Sequence, residues 1–119
     1  MQQTSAGPES ALLVSIDLGD TDYHESLAEL RLLAETAGVR VLATVEAKRQ
    51  RPDAALFAGS GKVQEIAEMV EQMEVPLVIF NHELSPAQMR NLTTHLGTRV
   101  IDRTMLILDI FAQRAQSHE

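Results

Sequence analysis

The sequence predicts an α/β domain on a short, four-stranded parallel sheet flanked by helices, in flavodoxin-like βαβ units. Three observations point there. Apolar or β-branched runs of strand length alternate with segments of helical periodicity in the order βαβαβαβα. The first run, ALLVSIDL from Ala11, is almost continuously apolar, as a strand covered on both faces of a parallel sheet must be. Gly38 and Gly97 stand where helical periodicity stops and an extended run begins. Parallel strands joined by right-handed crossovers follow, with strand order 2-1-3-4 as the expected topology.

Each element has its own local reason. Residues 1–10, MQQTSAGPES, are polar, contain Gly7-Pro8, and read as a disordered tail. After the first strand, Asp22 is a candidate N-cap, and Glu25 stands three residues on as in a capping box. Leu27, Leu30, Ala34 and Ala37 then share one helical face. VRVLATVEA (39–47) is the second strand, and KRQRPD (48–53) a basic loop. Beyond a short apolar LFA, the turn Gly59-Ser60-Gly61-Lys62 opens a second helix. Val63, Ile66, Ala67, Val70 and Met73 form its apolar stripe, while Glu65, Glu68 and Glu71 form a solvated acidic face. PLVIF (76–80) is the third strand. Ser85-Pro86 places an N-cap directly before Pro at the first helical position of the next helix. Met89, Leu92 and Leu96 give that helix its apolar face. RVID (99–102) is the fourth strand, and Thr104 a candidate cap for a last helix with Ile107, Ile110 and Phe111 on one side. That helix runs out at residue 119 without a Gly or Pro stop, which fits either a cut inside a longer helix or ordinary fraying.

Composition limits the function classes. The 119 residues suit one domain, with an aliphatic core, since the chain has three Phe, one Tyr and no Trp. The absence of Cys excludes disulfides and thiolate-held zinc and is compatible with a reducing cytosol. The first ten residues lack the pattern of a signal peptide, and apolar stretches fall short of the ~20 residues of a membrane helix. A cytoplasmic location is expected. A formal net charge of −7 argues against a protein that binds polyanions over its whole surface, but leaves room for a local basic patch.

Four segments could carry chemistry. The turn at residues 59–62 resembles a phosphate-binding loop, yet Leu56 stands where the first Gly belongs and Val63 where the magnesium-binding hydroxyl belongs. An independent Walker-type NTPase is therefore not expected. The turn could still hold an anion through free N–H groups and Lys62, or serve only as a tight turn. Lys48, Arg49 and Arg51 follow the second strand, at the sheet edge where open α/β proteins bind ligands. Together with Lys62 they form either a phosphate-backbone patch or a solvated loop. Asp17, Asp20, Asp22, His82 and Glu83 lie in turns at strand ends; no His-x-x-x-His pair or nucleophile signature accompanies them, and caps and turns account for all five. Met69, Met73, Met89 and Met105 read as core or interface fillers.

Several words resemble one family. Gly59-Ser60-Gly61-Lys62-Val63, FNHELSPAQ (80–88), RVIDRT (99–104) and LILDIFAQRA (106–115) are similar, in order and spacing, to the HflX-type GTPases, over residues 11–119. The resemblance implies an N-terminal α/β domain that precedes helical linker segments and a Ras-like G domain. GTP and Mg²⁺ would bind in that G domain, whose signature is not found here, so no cofactor and no GTP hydrolysis are expected of these 119 residues. The last helix, from residue 104, would be the truncated start of the linker. Family members associate with the large ribosomal subunit and split ribosomes under stress. The resemblance therefore implies docking on ribosomal RNA, with the protein's own linker and G domain as further partners. Charge and placement, rather than the family motif, select Lys48, Arg49, Arg51, Gly59, Ser60, Gly61 and Lys62 as contacts, with Arg99 and Arg103 behind them. An ATP-responsive or autoregulatory domain is the alternative. Met105 stands where relatives commonly carry Gly.

Overall fold

A computed structural model describes residues 9–117. The order is β1 (Ser10–Asp17), α1 (Tyr23–Thr36), β2 (Arg40–Lys48), α2 (Ser60–Met73), β3 (Leu77–Phe80), α3 (Pro86–Leu96), β4 (Arg99–Asp102) and α4 (Arg103–Ser117). All three strand pairings are parallel, and the sheet order β2-β1-β3-β4 is the expected one. β1 sits at the centre, which explains its unbroken apolar run: residues 11–16 are all buried.

The two sheet faces collect separate cores. α2 and α3 cover one, where Leu12, Val14 and Ile16 meet Val63, Ile66, Val70, Leu92 and Leu96. α1 and α4 cover the other, where Ala11 and Leu13 meet Leu30, Ala34 and Leu106. A register shift between Ala11 and Leu12 puts a bulge in β2, so Leu42 and Ala43 both pack toward the α2 side.

Several local expectations need correction. β1 takes in Ser10, and Glu9 O accepts from Arg40 N at 2.7 Å, so the sheet reaches into the expected tail; the tail's residues 1–8 lie outside the described residues. Asp22 stands at the N-cap of α1 but makes no side-chain cap. Its φ of −98° and ψ of 20° are not the extended geometry that aims a capping carboxylate at the first-turn amides. The capping at α4 falls to Asp102 rather than Thr104, with Asp102 Oδ1 accepting from Met105 N at 3.0 Å. Lys48 ends β2 instead of opening the loop. Met73 and Phe111, read as apolar-face residues, are exposed, whereas Leu106 is buried in that role on α4. The run-out of α4 past Ser117 lies outside the described residues.

α3 has the predicted start and more. Ser85 Oγ accepts from Gln88 N at 3.1 Å, and Gln88 Oε1 accepts from Ser85 N at 2.9 Å, a full capping box. Gln88 also donates to Asp53 O at 2.8 Å, which ties the loop after β2 to α3.

Candidate functional site

The candidate residues gather at the carboxyl edge of the sheet, where β1, β2, β3 and β4 all end and the chain turns back into helices. Arg49 continues the ladder one residue past β2, its N–H donating to Asp17 O at 3.0 Å. Its Nε donates to Arg51 O at 3.0 Å, which folds the guanidinium back toward α2. There it lies against Gly59, so closely that a side chain at this position would collide with Arg49 Nη1 and come within 3.3 Å of Cζ. Gly59 is the N-cap of α2, at φ 88° and ψ 155°, a conformation that only glycine adopts without strain.

A cation thus packs beside a helix amino end that already carries partial positive charge and has no side-chain cap. Among the described residues, ion pairs join Lys62 to Glu65 at 3.1 Å and Arg103 to Glu29, and none includes Lys48, Arg49 or Arg51. Lys48 and Arg49 line one groove of ≈ 400 Å³ with Asp17, Leu18, Gly19 and Gln50. Lys48 also lines an adjoining groove of ≈ 450 Å³ with Asp17, Tyr23, His24, Glu46 and Ala47. The structure therefore brings Lys48, Arg49, Arg51 and the turn at residues 59–62 to one side of the edge. It holds Lys62 to its own helix and keeps Arg99 away, because Arg99 opens β4 at the opposite, amino edge.

Arg103 sits on the carboxyl edge but is committed elsewhere. Its Nη1 donates to Asn81 Oδ1 at 2.7 Å and Ser26 O at 3.3 Å, and its Nη2 pairs with Glu29. Asn81, buried after β3, donates from Nδ2 to Ser15 Oγ at 3.2 Å and Ser26 Oγ at 3.1 Å. This network links β1, α1, β3 and α4, and sequence reasoning missed it. The signal was present in Asn81, a polar residue placed directly after the strand run VIF, where the sheet buries it.

His82 is more than a turn residue. β3 ends at Phe80 and Asn81 N still bonds Val14 O at 2.8 Å, but Ile16 N–H has no further β3 carbonyl to meet. His82 Nε2 accepts it instead at 2.9 Å, which places the ring proton on Nδ1. The ring also lies on Phe57, centroids 4.6 Å apart. Burial pulls its pKa down to about 4, against Asp20 and with a smaller push from Arg103. Tyr23 shows the converse: burial, with its 2.6 Å hydrogen bond to Glu46, pushes the hydroxyl up to about 12, so it stays a donor.

A magnesium nucleotide does not fit the turn at residues 59–63, because Val63 at the hydroxyl position is buried in the core. Among the described residues no group of three His, Cys, Asp or Glu side chains is placed to hold a metal ion. Among them too, no helix is long and apolar enough to cross a membrane.

A family model described as "GTP-binding GTPase N-terminal" matches residues 24–112, three quarters of the chain. The chain belongs to that family. Within it, similarity to GTPase HflX is high: 47% identity over 113 residues with the protein of Alkalihalophilus pseudofirmus and 48% over 111 residues with that of Escherichia coli, each across 93% of this chain. The chain spans 27% and 26% of those relatives, about a quarter of their length. Solved structures share the fold. SsGBP in complex with GDP superposes with a TM-score of 0.67 at 24% identity, over 88% of this chain and 29% of that one. A GTP-binding protein from Sulfolobus solfataricus in complex with GDP gives 0.63 at 25%, over 87% and 30%. Of the words read as a family resemblance, three reach the carboxyl edge, at Gly59, at Asn81 and His82 after β3, and at Asp102 and Arg103 of the β4–α4 junction, while residues 106–115 lie within α4.

Proposed function

We propose that this domain docks a longer GTPase on ribosomal RNA of the large subunit, through the basic side of its carboxyl edge. Lys48, Arg49 and Arg51 supply the charge, and the turn of Gly59, Ser60, Gly61 and Lys62 supplies backbone donors. The observation that carries the reading is Arg49, a cation without a carboxylate partner among the described residues, held over the uncapped amino end of α2. Two positive elements face one another there, an arrangement that favours a phosphate between or beside them. GTP hydrolysis, with GTP and Mg²⁺, belongs in this reading to a G domain elsewhere in the longer protein, which works in the cytoplasm during stress. The HflX relatives, four times the length of the matched segment, support that division.

Cosedimentation of the chain with large ribosomal subunits at graded salt tests the proposal. Binding should weaken as salt rises, because each Lys or Arg contact to phosphate releases counterions. A K48E/R49E/R51E variant that cosediments as well as wild type overturns it. The ATP-responsive alternative draws on the same uncapped α2 turn; saturable heat on titrating ATP into the chain would favour it.

A further inference from the structure

The basic groove is not purely basic. Asp17, the last residue of β1, lines both grooves beside Lys48. Its Oδ1 is fixed by Gly19 N at 2.9 Å, an Asx turn that leaves Oδ2 without a hydrogen bond among the described residues. A carboxylate next to two cations opposes phosphate, so the site as built suits a ligand offering an anion and a hydroxyl donor at adjacent points. A ribonucleotide unit is such a ligand: its phosphate answers Lys48, the cation that lines both grooves, and its 2′-hydroxyl answers Asp17, as an acidic residue answers a ribose in dinucleotide-binding folds. The second groove adds a surface for the base. His24 is exposed beside the buried Tyr23, the two rings 5.3 Å apart and edge-on, in a groove that Glu46 also lines. Each groove falls within the ~300–1,000 Å³ usual for small-ligand sites.

We propose that these adjoining grooves read one unstacked nucleotide of an RNA strand, with Asp17 accepting from the ribose 2′-hydroxyl, so that the basic edge prefers RNA to DNA. This rests on the RNA-docking reading above and adds a specificity-determining residue to it.

Fluorescence anisotropy at low salt, with labelled single-stranded RNA, DNA and 2′-O-methyl RNA of one sequence, tests the proposal on the 119-residue chain. RNA should bind about tenfold tighter than DNA, the size expected of one hydrogen bond to a charged acceptor. The 2′-O-methyl strand, which lacks the donor, should behave as DNA. D17N should bring the three affinities together, chiefly by raising DNA binding as a charge near phosphate disappears. The 2′-O-methyl arm leaves the protein untouched, so the test survives a D17N variant that folds poorly. Equal binding of RNA and DNA to wild type overturns the Asp17 assignment and leaves the basic edge standing. Failure of every strand to bind overturns the docking reading beneath it. Displacement of RNA by ATP that saturates at one site, and is lost in D17N, would make this a free-nucleotide site and overturn the RNA assignment.

Discussion

Acidification should weaken the domain through His82, and a single variant isolates the effect. In the folded chain His82 accepts a hydrogen bond from Ile16 N–H and holds its pKa at about 4, against 6.5 for a free imidazole. Between these values the unfolded chain carries a proton that the folded chain refuses. Stability is therefore complete above pH ~6.5, falls as pH drops toward ~4 and levels off below it. At about 1.36 kcal/mol per pKa unit the full shift corresponds to ~3 kcal/mol, and partial exposure of the ring reduces this to ~2 kcal/mol. Replacing His82 by Ala removes the acceptor and leaves a buried backbone N–H unpaired, a loss of ~2 kcal/mol at pH 7. The variant has no imidazole left to titrate. The gap between wild type and H82A should thus shrink from ~2 kcal/mol at pH 7 toward zero at pH 4. Carboxylates other than Asp20, whose charge acts on His82, titrate alike in both proteins and cancel in the difference. Urea melts across this range, followed by circular dichroism, measure it, or thermal melts at roughly 4 °C per kcal/mol. A gap that stays constant with pH would refute the assignment of His82 as a neutral acceptor in place of a strand carbonyl.

Three further outcomes follow from the same edge. Gly59→Ala should destabilise by ~1–3 kcal/mol in urea melts, since φ 88° is strained for any side chain and the methyl group meets Arg49; adding R49A should recover the collision part only. Ser85→Ala breaks the capping box of α3 and should lower stability by ~1 kcal/mol by the same measurement, with Q88A, which also frees the Asp53 loop, at least as damaging. Asn81→Ala should remove ~2–3 kcal/mol by stranding Ser15 and part of the Arg103 guanidinium, with faster amide exchange at the start of α4 as its local signature.

Much of this molecule was legible as a string of letters. The apolar run of β1, the two glycines at helix ends and the Ser85-Pro86 start are local signals, and local signals place elements because they act through backbone geometry and nearest neighbours. The layered α/β class follows from the alternation of such elements, and the strand order from the few topologies right-handed crossovers allow. Residue patterns misled wherever one side chain's role depended on a distant partner. Asp22 has the right side chain for a cap but the wrong dihedral angles, which the β1–α1 turn sets. Thr104 was displaced by Asp102, whose carboxylate also accepts from Leu84 N at 3.0 Å, 18 residues away, and so is fixed before α4 begins.

The site divides in the same way. The sequence by itself determined that cations cluster after β2, that a glycine turn opens α2 and that this turn lacks a magnesium ligand, since each is a matter of residue type and spacing. Only the tertiary structure decided which charges meet. It folded Arg49 onto Gly59, tied Lys62 to Glu65, spent Arg103 on Asn81 and Glu29, and sent Arg99 to the far edge of the sheet. It also turned His82 into the acceptor for a strand that had lost its neighbour. Coulomb and hydrogen-bond energies depend on distances of a few ångströms between residues up to 77 apart in the chain, and those distances exist only once both faces of the sheet have been packed.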